Sequence, residues 1–146
     1  MKTWAILLAL VTGGLLSIQV AMNGLVRGAT QSTIVAVLIN FLIGLAAVAM
    51  IFLLGRSPVP SAQTLTAIPW WAYLAGLCGA FYIATSAFAG PAIGVTALLA
   101  FTLLGQASSS VIIDHYGLMG IPMAPFTLVK LLGVGLVLVG ALLIVR

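Results

Sequence analysis

From Ser57 to Ile113 the chain carries no charged side chain and no histidine. Soluble domains usually hold about 25 % charged residues, so a stretch this long without one has no means of facing water. The whole chain follows suit, at 4 % charged and 64 % apolar residues with a mean hydropathy of +1.37. A bilayer resolves the difficulty, because a lipid-facing helix is apolar on every side. One crossing takes roughly 20 apolar residues, so a chain of this length holds about five and leaves no room for a catalytic domain. The apolar runs exceed the roughly 10-residue strands of a membrane β-barrel and do not alternate. The expected fold class is an all-α integral membrane protein with five transmembrane helices, forming a single transmembrane domain over 1–146.

Breaks in the pattern place the spans at 4–25, 33–54, 70–89, 92–113 and 126–145. Arg27 and the run Thr30-Gln31-Ser32-Thr33 close the first, and Gly55-Arg56-Ser57-Pro58 the second. The proline-rich segment 57–69 reads as the longest connection, with an interfacial turn at most. Gly90-Pro91 divides the uncharged stretch, because Gly relaxes the backbone and Pro removes a donor. The start, Met1 to Trp4 ahead of an apolar run, imitates a signal peptide, but Gln19 and Asn23 spoil the cleavage region and a retained helix is expected.

The basic residues Lys2, Arg27, Arg56, Lys130 and Arg146 are scattered, each near the end of an apolar run. That placement suits anchoring at the membrane surface by snorkelling. It offers no basic stripe and no aromatic platform for nucleic acid, so membrane lipid is the expected surrounding. Trp4, Trp70, Trp71 and Tyr116 fall at span ends, as interfacial aromatics do. Five crossings put Lys2, Arg56 and Lys130 on one side and Arg27 and Arg146 on the other. So even a division permits insertion in both orientations, and dual topology is an expectation. Cys78 stands alone and reads as a packing residue, without a disulfide or metal partner.

Scarce polar groups inside the spans carry the functional reading. Gln19 and Asn23 are four apart and share a helical face. Asn40 is the sole amide of the second span, and Gln106 of the fourth. An amide exposed to hydrocarbon costs on the order of several kcal/mol unless paired, so these four should face inward. There they either lock helices together or line a substrate cavity. By helical rise, Gln19 and Asn40 lie at similar depth and Gln106 in the other half of the membrane. An antiparallel second copy would therefore bring its Gln106 level with the first pair. Tyr82, near mid-membrane, needs a partner for its hydroxyl and offers a ring to a lipophilic or cationic solute. Thr85 and Ser86 read as local partners of backbone carbonyls. Four-spaced small residues, such as Ala36-Asn40-Gly44 and Ala72-Gly76-Ala80, suggest close helix packing.

Asp114 and His115 lie at a helix end, where a solvated cap is one role and proton coupling the other. No Walker loop, dinucleotide loop, zinc motif or nucleophile–base pair is present. The chain is therefore not expected to be an enzyme, nor to need a cofactor or metal. Secondary transport as a dimer is the first reading, with substrate contact at Gln19, Asn23, Asn40, Tyr82 and Gln106. A nonenzymatic assembly or accessory protein, or a passive channel, is the alternative.

The order of motifs carries a resemblance. Gln19-Val20-Ala21-Met22-Asn23-Gly24-Leu25 is followed by Asn40-Phe41-Leu42-Ile43-Gly44 and Gly90-Pro91-Ala92-Ile93-Gly94. Then come Leu104-Gly105-Gln106, Ile112-Ile113-Asp114-His115-Tyr116-Gly117-Leu118, and Leu131-Leu132-Gly133. Together they resemble the small five-span YdcZ or DUF606 family of the drug/metabolite transporter (DMT) superfamily. The resemblance implies a bacterial inner-membrane transporter moving a small metabolite or drug-like molecule. It also implies a half-unit of a ten-helix inverted-repeat bundle, completed by a homodimer or by a paralogous subunit. Four-span multidrug exporters of the superfamily couple to protons through a glutamate in the first helix. Here Gln19 and Asn23 are the polar groups of that helix, a departure that counts against proton-coupled export of cationic drugs and leaves neutral or anionic metabolites open.

Overall fold

A computed structural model describes residues 2–145; the anchoring expected of Arg146 and of the Lys2 side chain lies outside the described residues. Five of its helical spans are long and apolar enough to cross a membrane: Thr3–Thr30, Thr33–Leu54, Trp70–Ile93, Val95–Tyr116 and Leu128–Val145. The chain forms two compact units, Met1–Ala92 and Ile93–Arg146.

In the first unit, α1 (Lys2–Thr30) and α2 (Thr33–Leu54) form a helical hairpin. α1 runs five residues beyond the end expected at Leu25, because the polar groups there serve the helix itself. Thr30 Oγ1 donates to the Val26 carbonyl at 2.7 Å. Arg27 lies over the Phe88 ring at 5.1 Å and donates through Nε to Thr33 Oγ1 at 3.2 Å. At about 1.5 Å per residue, α1 is about 43 Å long, more than the roughly 30 Å hydrocarbon core. Gln31, at φ +54°, makes the reversal. Ser32 then caps α2, its hydroxyl accepting from the Val35 N–H at 3.3 Å, which satisfies one of the helix's orphan donors.

The connection after α2 holds a short helix, α3 (Ala62–Thr66), capped by Ser61. Tyr73 Oη donates to the Leu65 carbonyl at 2.8 Å and ties α3 to the 3₁₀ turn Trp70–Leu74, which leads into α4 (Ala75–Ile93). The chain break lies at Gly94, not at Gly90-Pro91. Pro91 stays inside α4; its fixed φ is helical, and the helix bears the loss of the hydrogen bond of its missing N–H and the crowding of its ring against the preceding turn. Gly94 takes φ +87° and ψ 145°, a conformation that only glycine adopts cheaply. Pro91 also packs close to Gly24 of α1, where a Cβ would meet Pro91 Cγ at 3.0 Å.

The second unit consists of α5 (Val95–Tyr116) and α6 (Leu128–Val145). Gly117, left-handed at φ 61°, ends α5, and a 3₁₀ turn at Leu118–Gly120 follows. Most large apolar side chains of both units are exposed, among them Leu10, Leu42, Phe81 and Leu136. This is the surface of a helix bathed in lipid.

Candidate functional site

Three helices of the first unit bring their polar side chains into one chain of hydrogen bonds. Gln19 and Asn23 project from the same face of α1, one turn apart. Gln19 Nε2 donates to Asn40 Oδ1 of α2 across a long 3.5 Å. Asn40 Nδ2 donates to Asn23 Oδ1 at 3.0 Å. Asn23 Nδ2 donates to Ser86 Oγ of α4 at 3.3 Å. Ser86 Oγ donates in turn to the Ile83 carbonyl at 2.8 Å. Asn23 and Ser86 are buried, at 5 % and 1 % exposure, while Gln19 and Asn40 are half-buried. Asn23 and Asn40 thus each pair both the oxygen and the nitrogen of their amides inside membrane-length helices.

The hairpin of α1 and α2 leaves a cleft of about 430 Å³ beside this chain. Leu15, Met22 and Ile43 supply apolar walls, and Gln19, Asn23 and Asn40 its polar side. Small residues make the room. Ala36 is buried where a larger side chain would fill the space, and Gly44 presents bare backbone. An apolar cavity with a few convergent polar groups is the usual form of a small-molecule site.

The other expected site residues lie elsewhere. Tyr82, on α4, is outside the lining of this cleft, and its buried hydroxyl has no hydrogen-bond partner among the described residues. Gln106 is exposed on α5 and makes no side-chain hydrogen bond among the described residues, so within one chain it does not face inward as expected. Ser108 instead returns its hydroxyl to the Leu104 carbonyl at 2.8 Å.

Asp114 and His115 work as a clasp between α5 and α6. The Asp114 carbonyl accepts from the Ala124 N–H at 2.8 Å, and its carboxylate stands 3.8 Å from Lys130 Nζ. Lys130 Nζ also donates to the Ala124 carbonyl at 3.1 Å. His115 Nδ1 accepts from the Phe126 N–H at 3.0 Å, and its ring meets Tyr116 and Phe126 edge-to-face. The two adjacent side chains therefore hold different parts of the hairpin, Asp114 the first turn of α6 and His115 the loop before it. Among the described residues, no group of three or more His, Cys, Asp or Glu side chains is placed to hold a metal ion.

Ser86 is the member that sequence reasoning underrated. Its local bond to a backbone carbonyl was legible, but its second bond, to Asn23 63 residues away, has no local signal.

Comparison with curated proteins and with solved structures gives no match. A family model does match over residues 4–143, and its description reads "Putative inner membrane exporter, YdcZ". With nearly the whole sequence covered and five apolar helices of membrane length, the chain is a multi-pass membrane protein and belongs to the YdcZ family of the DMT transporters.

Proposed function

We propose that the chain is the subunit of a secondary transporter of the inner membrane, and that it moves a small solute through the α1–α2 cleft. The observation that carries this reading is the convergence of Gln19, Asn23 and Asn40 on one cavity of about 430 Å³ between two helices of membrane length. The site is neutral. The chain's one acidic residue, Asp114, lies in the last turns of α5 rather than in the cleft. A polar but uncharged wall suits a neutral metabolite or drug-like molecule with an apolar body better than a cation needing a counter-ion.

The working body is a pair of subunits, a homodimer or a pair with a paralogous chain, that together make a ten-helix inverted-repeat bundle. Gln106 supports this, because an exposed amide in hydrocarbon is costly until a partner meets it. An antiparallel second copy is one such partner. If the cycle is proton-coupled, Asp114 and His115 are the groups it has to draw on.

Counterflow in proteoliposomes, with a panel of neutral and charged solutes, tests the reading. Saturable exchange of a neutral solute, lost in Asn40→Leu, is expected. Exchange at wild-type rates in both Asn23→Leu and Asn40→Leu would remove the cleft's proposed role.

A further inference from the structure

The hydrogen bonds of the amide chain all run in one direction, and the direction has a single source. A serine hydroxyl has one proton. Ser86 spends it on the Ile83 carbonyl at 2.8 Å, so toward Asn23 its oxygen can only accept. That forces the nitrogen of Asn23 to face Ser86 and its oxygen to face Asn40. The same requirement passes to Asn40, which turns its nitrogen to Asn23 and its oxygen to Gln19. Gln19 must then present its nitrogen to Asn40. Its own Oε1 is left as the terminal acceptor, without a partner among the described residues, on a side chain that lines the cleft. Reversing any one amide would set oxygen against oxygen or nitrogen against nitrogen at the next link.

We propose that Ser86 sets the polarity of this chain, so that the cleft selects solutes bearing an N–H or O–H donor for Gln19 Oε1. Ser86 is a positioning residue in this scheme: it reaches the solute only through three amides. The proposal rests on the reading of the cleft as the solute site and adds the class of solute. A molecule with acceptors only leaves Oε1 without a donor in a largely apolar wall, at the cost of the lost bond. Discrimination of this kind is steep, because a site built to pair with a donor rejects the analogue lacking it.

The test uses radiolabelled benzamide on the detergent-solubilised full chain, displaced either by unlabelled benzamide or by N,N-dimethylbenzamide. The two share a ring and a carbonyl, and only benzamide has N–H donors. In the wild type benzamide should bind about tenfold tighter or more. Ser86→Ala frees Asn23 to turn either way, and the preference should fall to within about threefold. Ser86→Thr keeps the hydroxyl and should restore it. A ratio taken within one preparation does not move with the fraction of folded protein. The extra bulk of the dimethyl analogue is also the same in every variant. If Ser86→Ala fails to fold, Gln19→Met decides, since it removes the terminal acceptor from a half-buried position and should abolish the preference. Saturable binding with no preference in the wild type, or a preference unchanged in Ser86→Ala or Gln19→Met, overturns the proposed polarity and leaves the solute site standing. No saturable binding of either compound to the wild type overturns the solute site, and the selectivity with it.

Discussion

The two units answer the same problem in opposite ways. Each has polar side chains to place on helices bathed in hydrocarbon. The first gathers Gln19, Asn23, Asn40 and Ser86 into a chain across three helices, beside a cleft. The second keeps its polar contacts between helices at one end, where Asp114, His115 and Lys130 clasp the α5–α6 connection. Its groove between α5 and α6 is larger, about 640 Å³, yet Leu104, Leu131, Leu132, Leu136 and Val139 line it with Ser108 as the one polar side chain. That hydroxyl is already bonded to Leu104. Cavity size therefore does not single out the proposed site. The larger space has nothing to orient a solute and suits an acyl chain or a packed helix, whereas the smaller has direction built into its wall.

The comparison breaks most readily at Asn23. Replacing it with alanine strips Asn40 and Ser86 of a partner at a buried position. It should cost about 1–3 kcal/mol, read as a lowered unfolding temperature in detergent, and should abolish saturable flux. A stability equal to wild type would mean that the chain of bonds does not hold the first unit together. Next comes Gly24→Ala. Its new Cβ would press on Pro91 Cγ at 3.0 Å, and overpacking of this kind costs about 1–3 kcal/mol where the neighbours cannot move. Trimming the other side in Gly24→Ala/Pro91→Ala should recover much of the loss, and an additive double variant would show that the two residues do not press on each other.

In the second unit the expected effects shrink. His115→Phe keeps the ring contacts but loses the acceptor for the Phe126 N–H, at about 0.5–1.5 kcal/mol. Amide exchange at Phe126 should quicken while α6 stays protected. Smallest is Asp114→Asn. Asp114 and Lys130 are a third or more exposed and 3.8 Å apart, and pairs of this kind contribute about 0.2–1 kcal/mol. Proteoliposomes with an imposed pH gradient sharpen this case, since a clasp leaves gradient-driven flux intact and a coupling carboxylate does not.

Much of this was legible from residues alone, for reasons that also mark the limit. Spans show in sequence because every turn of a lipid-facing helix must be apolar, and the family shows because its motifs run in order along nearly the whole chain. Gln19 and Asn23 share a face by simple helical spacing, and Asn40 stood out as the only amide of its span. Contacts across the fold have no such spacing rule. Ser86 resembles Thr85 beside it, and only the approach of α4 to α1 singles it out. Gly90-Pro91 looked the stronger break because proline is the more conspicuous residue. Gly94 makes the break because a positive φ is open to glycine and closed to its neighbours. Gln106 looked inward-facing by chemistry, yet it is exposed, since a rule about what hydrocarbon forbids does not say which chain supplies the cover.

Arg27, Asp114 and Lys130 all stand in end turns of their helices, and no formal charge lies in the middle of any of the five. The proposed transport cycle, built from such helices, would carry no gating charge through the electric field. The field acts on a translocated unit charge with about 2.3 kcal/mol per 100 mV, but here only the cargo or a co-transported ion could feel it. With an uncharged cargo and no co-transported ion the cycle is electrically silent: the resting potential neither drives nor resists it, and net movement follows the concentration ratio alone.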